Sequence, residues 1–424
     1  MPTVGSFPTS RQDIAGVSIA EIAQQFNTPT FVYDAAVIVE RIEDLKSFDL
    51  IRYAQKACSN IAILDLARRN GVVVDAVSAG EIHRALRAGY QGGTREDGVH
   101  EIVYTADIFD ADALDLVVEH DVHVNCGSPD MIDQLGARKP GAQITLRLNP
   151  GFGHGHSQKT NTGGQQSKHG IWYEQIEDCK QRAANHGITI TGLHMHIGSG
   201  TDLEHLAQVC GAMEKAVLEV GNTITTVSAG GGLPVPYNAD QSYVDLDEYF
   251  SLWDNSRKRL ETELGGSIKL EIEPGRYLSA ESGNLVTEIR AVKMMGENTF
   301  YLVDAGFNNL ARPIMYGSYH PISVVTADAV AREEVNVVVG GPLCESGDIF
   351  TQEEGGFVSK RSLPQANVGE FLVLECAGAY GSVMGSNYNS KPLAAEVMIV
   401  DGQAHLIRAR QSYDDLMRGE KLVD

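Results

Sequence analysis

Between about residue 36 and residue 285 the chain alternates short apolar runs with longer amphipathic ones. The short runs, rich in Val and Ile, predict strands over 51–56, 71–77, 101–105, 122–126, 143–149, 188–197, 223–229 and 267–273. Between them apolar residues recur at helical spacing, predicting helices over 59–69, 80–88, 110–120, 128–137, 172–185, 202–220 and 246–264, with a further helix over 37–46 ahead of the first strand. Eight strands separated by helices over about 250 residues predict an α/β fold, a (β/α)8 TIM-type barrel. Several of the strands are mostly apolar, as parallel strands covered by helices should be. A doubly wound open sheet has the same rhythm and is the competing architecture.

After residue 285 the rhythm changes. Runs such as 300–303, 335–339, 371–374, 396–400 and 404–407 alternate with Gly, Pro and Asn turns, and no long helical pattern appears before the last dozen residues. This predicts a mostly antiparallel β domain. A helix over 19–26 and a strand over 30–33 precede the barrel, and that strand is free to join the β domain. The expected division is 1–35, an N-terminal segment joining the β domain, 36–285, the barrel, and 286–424, the β domain.

Charge narrows the partners. The 424 residues include 34 basic and 56 acidic side chains, a formal net charge of -22. Nucleic acid and anionic membrane surfaces both need a basic footprint and are disfavoured. Six scattered cysteines form no CxxC pair, which fits a reducing compartment. The opening MPTVGSFPTSRQD has no apolar signal core and no run of 18 apolar residues occurs, so a cytoplasmic protein is expected.

The chemistry clusters where a barrel carries it, at the carboxyl ends of the strands. The first barrel strand ends in Lys56, whose amine would hold an aldehyde cofactor as a Schiff base if partly desolvated. The seventh ends in Gly230-Gly231-Gly232, bare backbone suited to a phosphate or simply to a turn. On the eighth, Ile268, Leu270 and Ile272 share one face, and Lys269, Glu271 and Glu273 the other. A glutamate in a barrel mouth needs a partner, and a protonated pyridine nitrogen would serve Glu273. Arg276 follows, suited to a phosphate or carboxylate. On the sixth, His194 and His196 share a face, read as zinc ligands, core polar residues, or, for His196, a flat partner stacked on a cofactor ring, with Ser199 as a phosphate contact. No carboxylate or cysteine lies at useful spacing, so no metal is expected. In the β domain Arg312 could clamp a carboxylate, Glu345 bind an ammonium and Cys344 pass a proton, or any of them could be a surface turn.

The motifs Arg52-Tyr-Ala-Gln-Lys56-Ala, Ser167-Lys-His-Gly-Ile171, Leu193-His-Met-His196-Ile-Gly-Ser199, Gly230-Gly-Gly232, Glu273-Pro-Gly-Arg276, Arg312-Pro-Ile-Met-Tyr316, Cys344-Glu345-Ser-Gly-Asp348 and Gly378-Ala-Tyr380-Gly appear together in order. With them the chain resembles the fold-type III pyridoxal-phosphate amino-acid decarboxylases over nearly its whole length, and most closely the branch acting on diaminopimelate. The resemblance implies that pyridoxal 5'-phosphate is carried by Lys56, with His196 on its ring and Glu273 at its nitrogen. Asp75 and Arg147 would lie near Lys56 and the ring hydroxyl. Ser199, Gly230, Gly231, Gly232, Pro274, Gly275, Arg276 and Tyr380 would complete the cofactor set, chiefly on the phosphate side. Arg276, Arg312, Tyr316, Glu345 and Tyr380 would meet the substrate, meso-2,6-diaminopimelate, and Cys344 would reprotonate Cα to give L-lysine after CO2 leaves. It further implies a homodimer with shared active sites, Cys344 and Glu345 coming from the partner subunit. Two positions depart from the family pattern: His169, where many relatives have Phe, and Asp107 in Thr105-Ala-Asp107, where Thr-Gly-Asn is more common. Relatives acting on ornithine lack the distal carboxylate that Arg312 and Tyr316 suit. A racemase needs a base on each face of Cα, and a cofactor carrier would not need the intact catalytic set.

Overall fold

The computed structural model describes residues 7–153, 163–196, 202–328, 330–353 and 355–423. Its chain forms two compact units. One holds Val39–Pro234 and Tyr243–Tyr277; the other holds the described chain up to Ile38, Val235–Ser242 and the chain from Leu278 on.

The first unit is the expected barrel. Its strands are Leu50–Ala54, Val73–Ala76, Ile102–Ala106, His123–Cys126, Gln143–Asn149, Thr189–Met195, Thr226–Ser228 and Lys269–Ile272. Each pairs in parallel with the next, and the eighth returns to the first with Ile272 opposite Ile51, so the sheet closes and the open-sheet alternative falls. A two-residue strand, Ile171–Trp172, adds to the edge of the fifth at Leu148 and Asn149, which the hydrophobic pattern did not announce.

Local chemistry sets the helix ends. Helix Ile61–Arg69 starts at Asn60, whose side chain accepts from Ala62 N–H, and Ala79–Arg87 starts at Ser78, which accepts from Glu81 N–H. Helix Leu246–Leu264 starts at Asp245 and stops at Gly265, which takes the left-handed conformation that favours glycine. The expected strand 51–56 ends two residues early. Gln55–Ala57 make a turn of 3-10 helix, so Lys56 stands just past the strand end and is exposed at the mouth.

Two layers of burial explain the strand pattern. Ile268, Leu270 and Ile272 are buried on the outer face of the eighth strand, and Glu271 and Glu273 point inward. Barrel interiors are usually filled by branched apolar residues. This one is polar. A cavity of about 70 Å3 inside the barrel is lined by Arg52, His123, Asn125, Ser228, Glu271 and Glu273 among others. Arg52 is 2% exposed and donates to both carboxylate oxygens of Glu271, at 3.1 and 3.3 Å, and to the backbone carbonyl of His100 at 3.0 Å.

The second unit is a mostly antiparallel β assembly. Thr30–Asp34 lies between Gly283–Met295, antiparallel, and Ala395–Val400, parallel, so the N-terminal strand does join it. Asn298–Val303 and Glu334–Gly340 make the other parallel pair. Gly283–Met295 was not expected as one strand. Its first half is buried against Thr30–Asp34 and Phe371–Leu374, and after an irregularity at Ile289–Ala291 its exposed second half turns to Asn298–Val303. Ile14, Ile19, Ile22, Val32, Val286, Val373 and Ile399 form one core. The helical pattern of the last dozen residues yields only a four-residue helix, Tyr413–Leu416. Among the described residues no helix is long and apolar enough to cross a membrane.

Candidate active site

In the barrel, parallel register sets four polar side chains side by side. His194 of the sixth strand lies between Arg147 of the fifth and Ser228 of the seventh, and Ser228 lies beside Glu271 of the eighth. The eighth strand ends at Ile272 and Glu273 follows, its N–H bonded to Gly230 O at 2.8 Å. The Glu273 carboxylate is 7% exposed; Oε2 accepts from His194 Nε2 at 2.8 Å and Oε1 from Ser228 Oγ at 3.0 Å. Burial works to raise this carboxyl. The facing His194, by charge and hydrogen bond, together with Arg52 and the Ser228 hydroxyl, outweighs burial and holds it down at about 2. Asp75, on the second strand, shows the opposite balance. Burial first, and then the charge of Glu273, push it well above the usual carboxylate range, and Lys56 offsets this only in part. The two carboxyls are thus driven in opposite directions. Asp75 Oδ1 is buried without a hydrogen-bond partner among the described residues.

His196 follows the sixth strand. Its Nδ1 accepts the Gly231 N–H at 2.9 Å, so the ring proton belongs on Nε2. Burial, with Lys56 and Arg147 adding, drives this imidazole well below its ordinary range, and it is neutral. The triple glycine is bare for a reason. A Cβ on Gly230, which has φ +64°, would stand 2.4 Å from Met195 O, and one on Gly231 2.4 Å from Glu273 O. Gly275 is held less closely, a Cβ there coming 3.2 Å from Ala54 O at the end of the first strand. Pro274 O takes the Ala54 N–H at 3.0 Å, and Arg276 opens the short helix Arg276–Ser279. Ser199 lies outside the described residues, as do His154 and His156 of the loop after the fifth strand.

The two positions that depart from the family pattern turn out to be one contact. His169 Nδ1 meets Asp107 Oδ2 at 2.8 Å, and Gly170 N–H donates to Asp107 Oδ1 at 3.0 Å. Burial raises Asp107, but His169, the Gly170 N–H and Arg147 together hold it below the usual carboxylate value. Asn149 grips the same segment from the fifth strand, donating to Gly164 O and His169 O.

The second unit gathers the remaining residues. Arg312 is 6% exposed; it donates to Tyr237 Oη at 3.1 Å and to His320 Nε2 at 3.0 Å, and lies 5.0 Å from the Tyr237 ring centroid. His320 Nδ1 donates to Glu375 O at 3.0 Å, which frees Nε2 to accept from Arg312. Tyr316 ends the same short helix, half-buried. Cys344 and Glu345 are exposed on a loop shaped by Asp348, whose two oxygens accept from Phe307 N–H at 2.7 Å and Leu343 N–H at 2.8 Å. That loop lies against the Arg312 helix, a Cβ on Gly347 coming 2.7 Å from Ile314 Cδ1. Tyr380 is half-buried at φ +58°, a backbone conformation that is strained for tyrosine.

Inspection of the sequence did not find the partners: Ser228 and His194 for Glu273, Tyr237 and His320 for Arg312. His194 carried a signal, since it shares a face with His196. Tyr237 lies 75 residues from Arg312 and carried none. Among the described residues no cluster of His, Cys, Asp and Glu could hold a metal ion.

The barrel's donor set suits a planar cofactor with a reactive carbonyl carbon, a basic ring nitrogen and a phosphate. It offers an accessible amine, a buried ionised carboxylate, a neutral imidazole and bare glycine backbone. The pyridoxal-binding domain of the pyridoxal-dependent decarboxylases matches residues 36–280. The diaminopimelate decarboxylase of Escherichia coli is 53% identical over 413 residues, 97% of this chain and 98% of that one. A crystal structure of a diaminopimelate decarboxylase, also 53% identical, superposes with a TM-score of 0.90 over 94% of each chain. The Helicobacter pylori enzyme complexed with L-lysine, 29% identical, superposes at 0.84 over 94% of this chain and 98% of that one.

Proposed function

The chain belongs to the diaminopimelate decarboxylases within the pyridoxal-dependent decarboxylase family, and from that premise we propose which of its residues carry the reaction. It is a carboxy-lyase that depends on pyridoxal phosphate and acts in the last step of lysine biosynthesis. The observation that carries the residue assignment is the Glu273 carboxylate, buried, ionised and held by His194 and Ser228 at the carboxyl end of the barrel.

When bound, pyridoxal phosphate supplies an electron sink for the pair left behind by the departing carboxylate. Lys56 would hold it through its amine, at the end of the first strand where the D-configured amino group of the substrate would be bound. Glu273 would hold the ring nitrogen and keep its proton in place, and the raised Asp75 carboxyl lessens the competing charge. His196, flat and neutral, covers one ring face with its orientation set by Gly231 N–H. Gly230, Gly231, Gly232, Ser199, Pro274, Gly275, Arg276 and Tyr380 make the remaining cofactor contacts, and Arg147 stands near the ring hydroxyl. Arg276, Arg312, Tyr316 and Tyr380 bind the distal end of meso-2,6-diaminopimelate, with Glu345 on its ammonium. Orienting the substrate would be their task; positioning of this kind contributes roughly 7–11 kcal/mol at most. Cys344 delivers a proton to Cα, giving L-lysine. The protein works as a homodimer in which Cys344 and Glu345 serve the partner's site.

The test is CO2 release with a panel of amino acids on purified, cofactor-loaded protein. One CO2 and one L-lysine per meso-diaminopimelate, with ornithine and arginine inert, is expected. Turnover of ornithine in preference would overturn the distal-carboxylate assignment.

A further inference from the structure

Two histidines lie at alternate positions at the end of the sixth strand, and only the second would touch the cofactor. His194 is the more buried, 1% exposed, with Nε2 2.8 Å from Glu273 Oε2. Its Nδ1 is buried with no hydrogen-bond partner among the described residues. An ionised carboxylate only accepts, so Nε2 carries a hydrogen and donates to it. The strand fixes this aim: Arg147 and Ser228 flank His194 in register, and Ser228 supplies the donor to the other oxygen.

We propose that His194 is a positioning residue for the decarboxylation, donating to Glu273 so that this carboxylate stays ionised and oriented toward the cofactor's ring nitrogen. This rests on Glu273 being that nitrogen's partner.

No neighbour can substitute. Arg52 also faces Glu273, but its guanidinium is given over to Glu271 at 3.1 and 3.3 Å and to the His100 carbonyl. Glu271 is paired with Arg52, and Asp75 on the second strand faces the Glu273 charge without offering a donor charge to it. His196, neutral, has its Nδ1 committed to Gly231. Lys56 acts on Asp75 and His196 from the mouth, and Arg147 lies one strand beyond His194. Without His194, a buried carboxylate keeps one hydroxyl donor, Ser228, among the described residues. Burial then raises it.

The experiment compares holoenzymes carrying His194→Leu, His194→Gln and His194→Asn. It follows the visible absorbance of bound pyridoxal phosphate and its dissociation constant across pH, together with kcat and KM. His194→Leu should move the acid limb of the absorbance and affinity profiles up by about two pH units. It should lower kcat roughly tenfold or more while leaving KM within about threefold. Gln, whose amide reaches Glu273, should bring the limb back to within about half a unit. Asn, one methylene short, should not. An acid limb and spectrum unchanged in His194→Leu, with only a lower melting temperature, would make His194 a packing residue and overturn the proposal. If the Leu variant does not fold, coincident profiles for Gln and Asn overturn it instead. Glu273→Gln is the control. Should that variant keep the wild-type spectrum and limb, the role of Glu273 itself fails; should it lose them while His194→Leu does not, only the role of His194 fails.

Discussion

Replacing Gly231 by alanine tests the closest approach in the barrel mouth. The new Cβ would stand 2.4 Å from Glu273 O and 3.4 Å from His196 Cε1. Carbon–oxygen contacts need about 3.3 Å, so the two backbones must part by roughly 1 Å. That motion pulls on the Gly231 N–H to His196 Nδ1 bond, 2.9 Å, and on the Glu273 N–H to Gly230 O bond, 2.8 Å. Overpacking of this kind costs about 1–3 kcal/mol and a weakened hydrogen bond about 1 more. If about 2 kcal/mol of the total falls on the cofactor site, pyridoxal phosphate binds roughly 30-fold more weakly. The assay is titration of apo-protein with pyridoxal phosphate, read by visible absorbance, beside chemical denaturation. Gly211→Ala is the control. That glycine lies exposed in helix Leu203–Val220 with nothing within 4 Å of its would-be Cβ, so alanine should stabilise by about 0.5–1 kcal/mol and leave affinity alone. An unchanged affinity and stability in Gly231→Ala would refute the steric account of the triple glycine.

Three further outcomes are expected. Asp75 keeps a proton in the folded apo-protein that the unfolded chain gives up above about pH 4. Its raised carboxyl thus costs stability as pH climbs from there, and the advantage of Asp75→Asn in urea denaturation should grow with pH, by at most about 1.4 kcal/mol per unit; a pH-independent difference contradicts this. Arg312→Lys replaces the planar guanidinium, whose Nη1 makes both the Tyr237 and the His320 bond, with a single ammonium, and should raise the KM for diaminopimelate at least about tenfold with a smaller change in kcat; steady-state kinetics with an unchanged KM would remove Arg312 from the substrate site. Glu345→Ala should lower kcat/KM for diaminopimelate by about tenfold or more, the loss of one charge-assisted contact, and an unchanged value would take Glu345 out of ammonium binding.

The barrel was legible because its repeating unit is local. Each strand and each helix announces itself within a dozen residues, and strand Gln143–Asn149 and helix Leu246–Leu264 fall where the pattern put them. The inward face of the eighth strand was legible for the same reason. Alternation alone separates Glu271 and Glu273 from Ile268, Leu270 and Ile272 on the outer face.

The polar barrel interior was not legible. In a closed parallel sheet both faces are buried, so Arg52, His123 and Asn125 look no different in sequence from edge residues. Nor was the Asp107–His169 contact, because 62 residues, with the fourth and fifth strands among them, separate its halves. The strand Gly283–Met295 escaped notice because it changes partners midway, buried on both faces in one half and exposed in the other. Lys56 was placed on a strand, and stands on a turn, because residue pattern marks where a strand begins better than where it lets go.

The attachment of the cofactor to Lys56 is what every other role depends on. Borohydride reduction of the cofactor-loaded protein, followed by proteolysis and mass mapping, reads that attachment directly. A single reduced pyridoxyl-phosphate adduct on the peptide containing Lys56, lost in Lys56→Ala together with the visible band, is the predicted result. An adduct on any other lysine, or a Lys56→Ala protein that keeps the band and the trapped adduct, would contradict it.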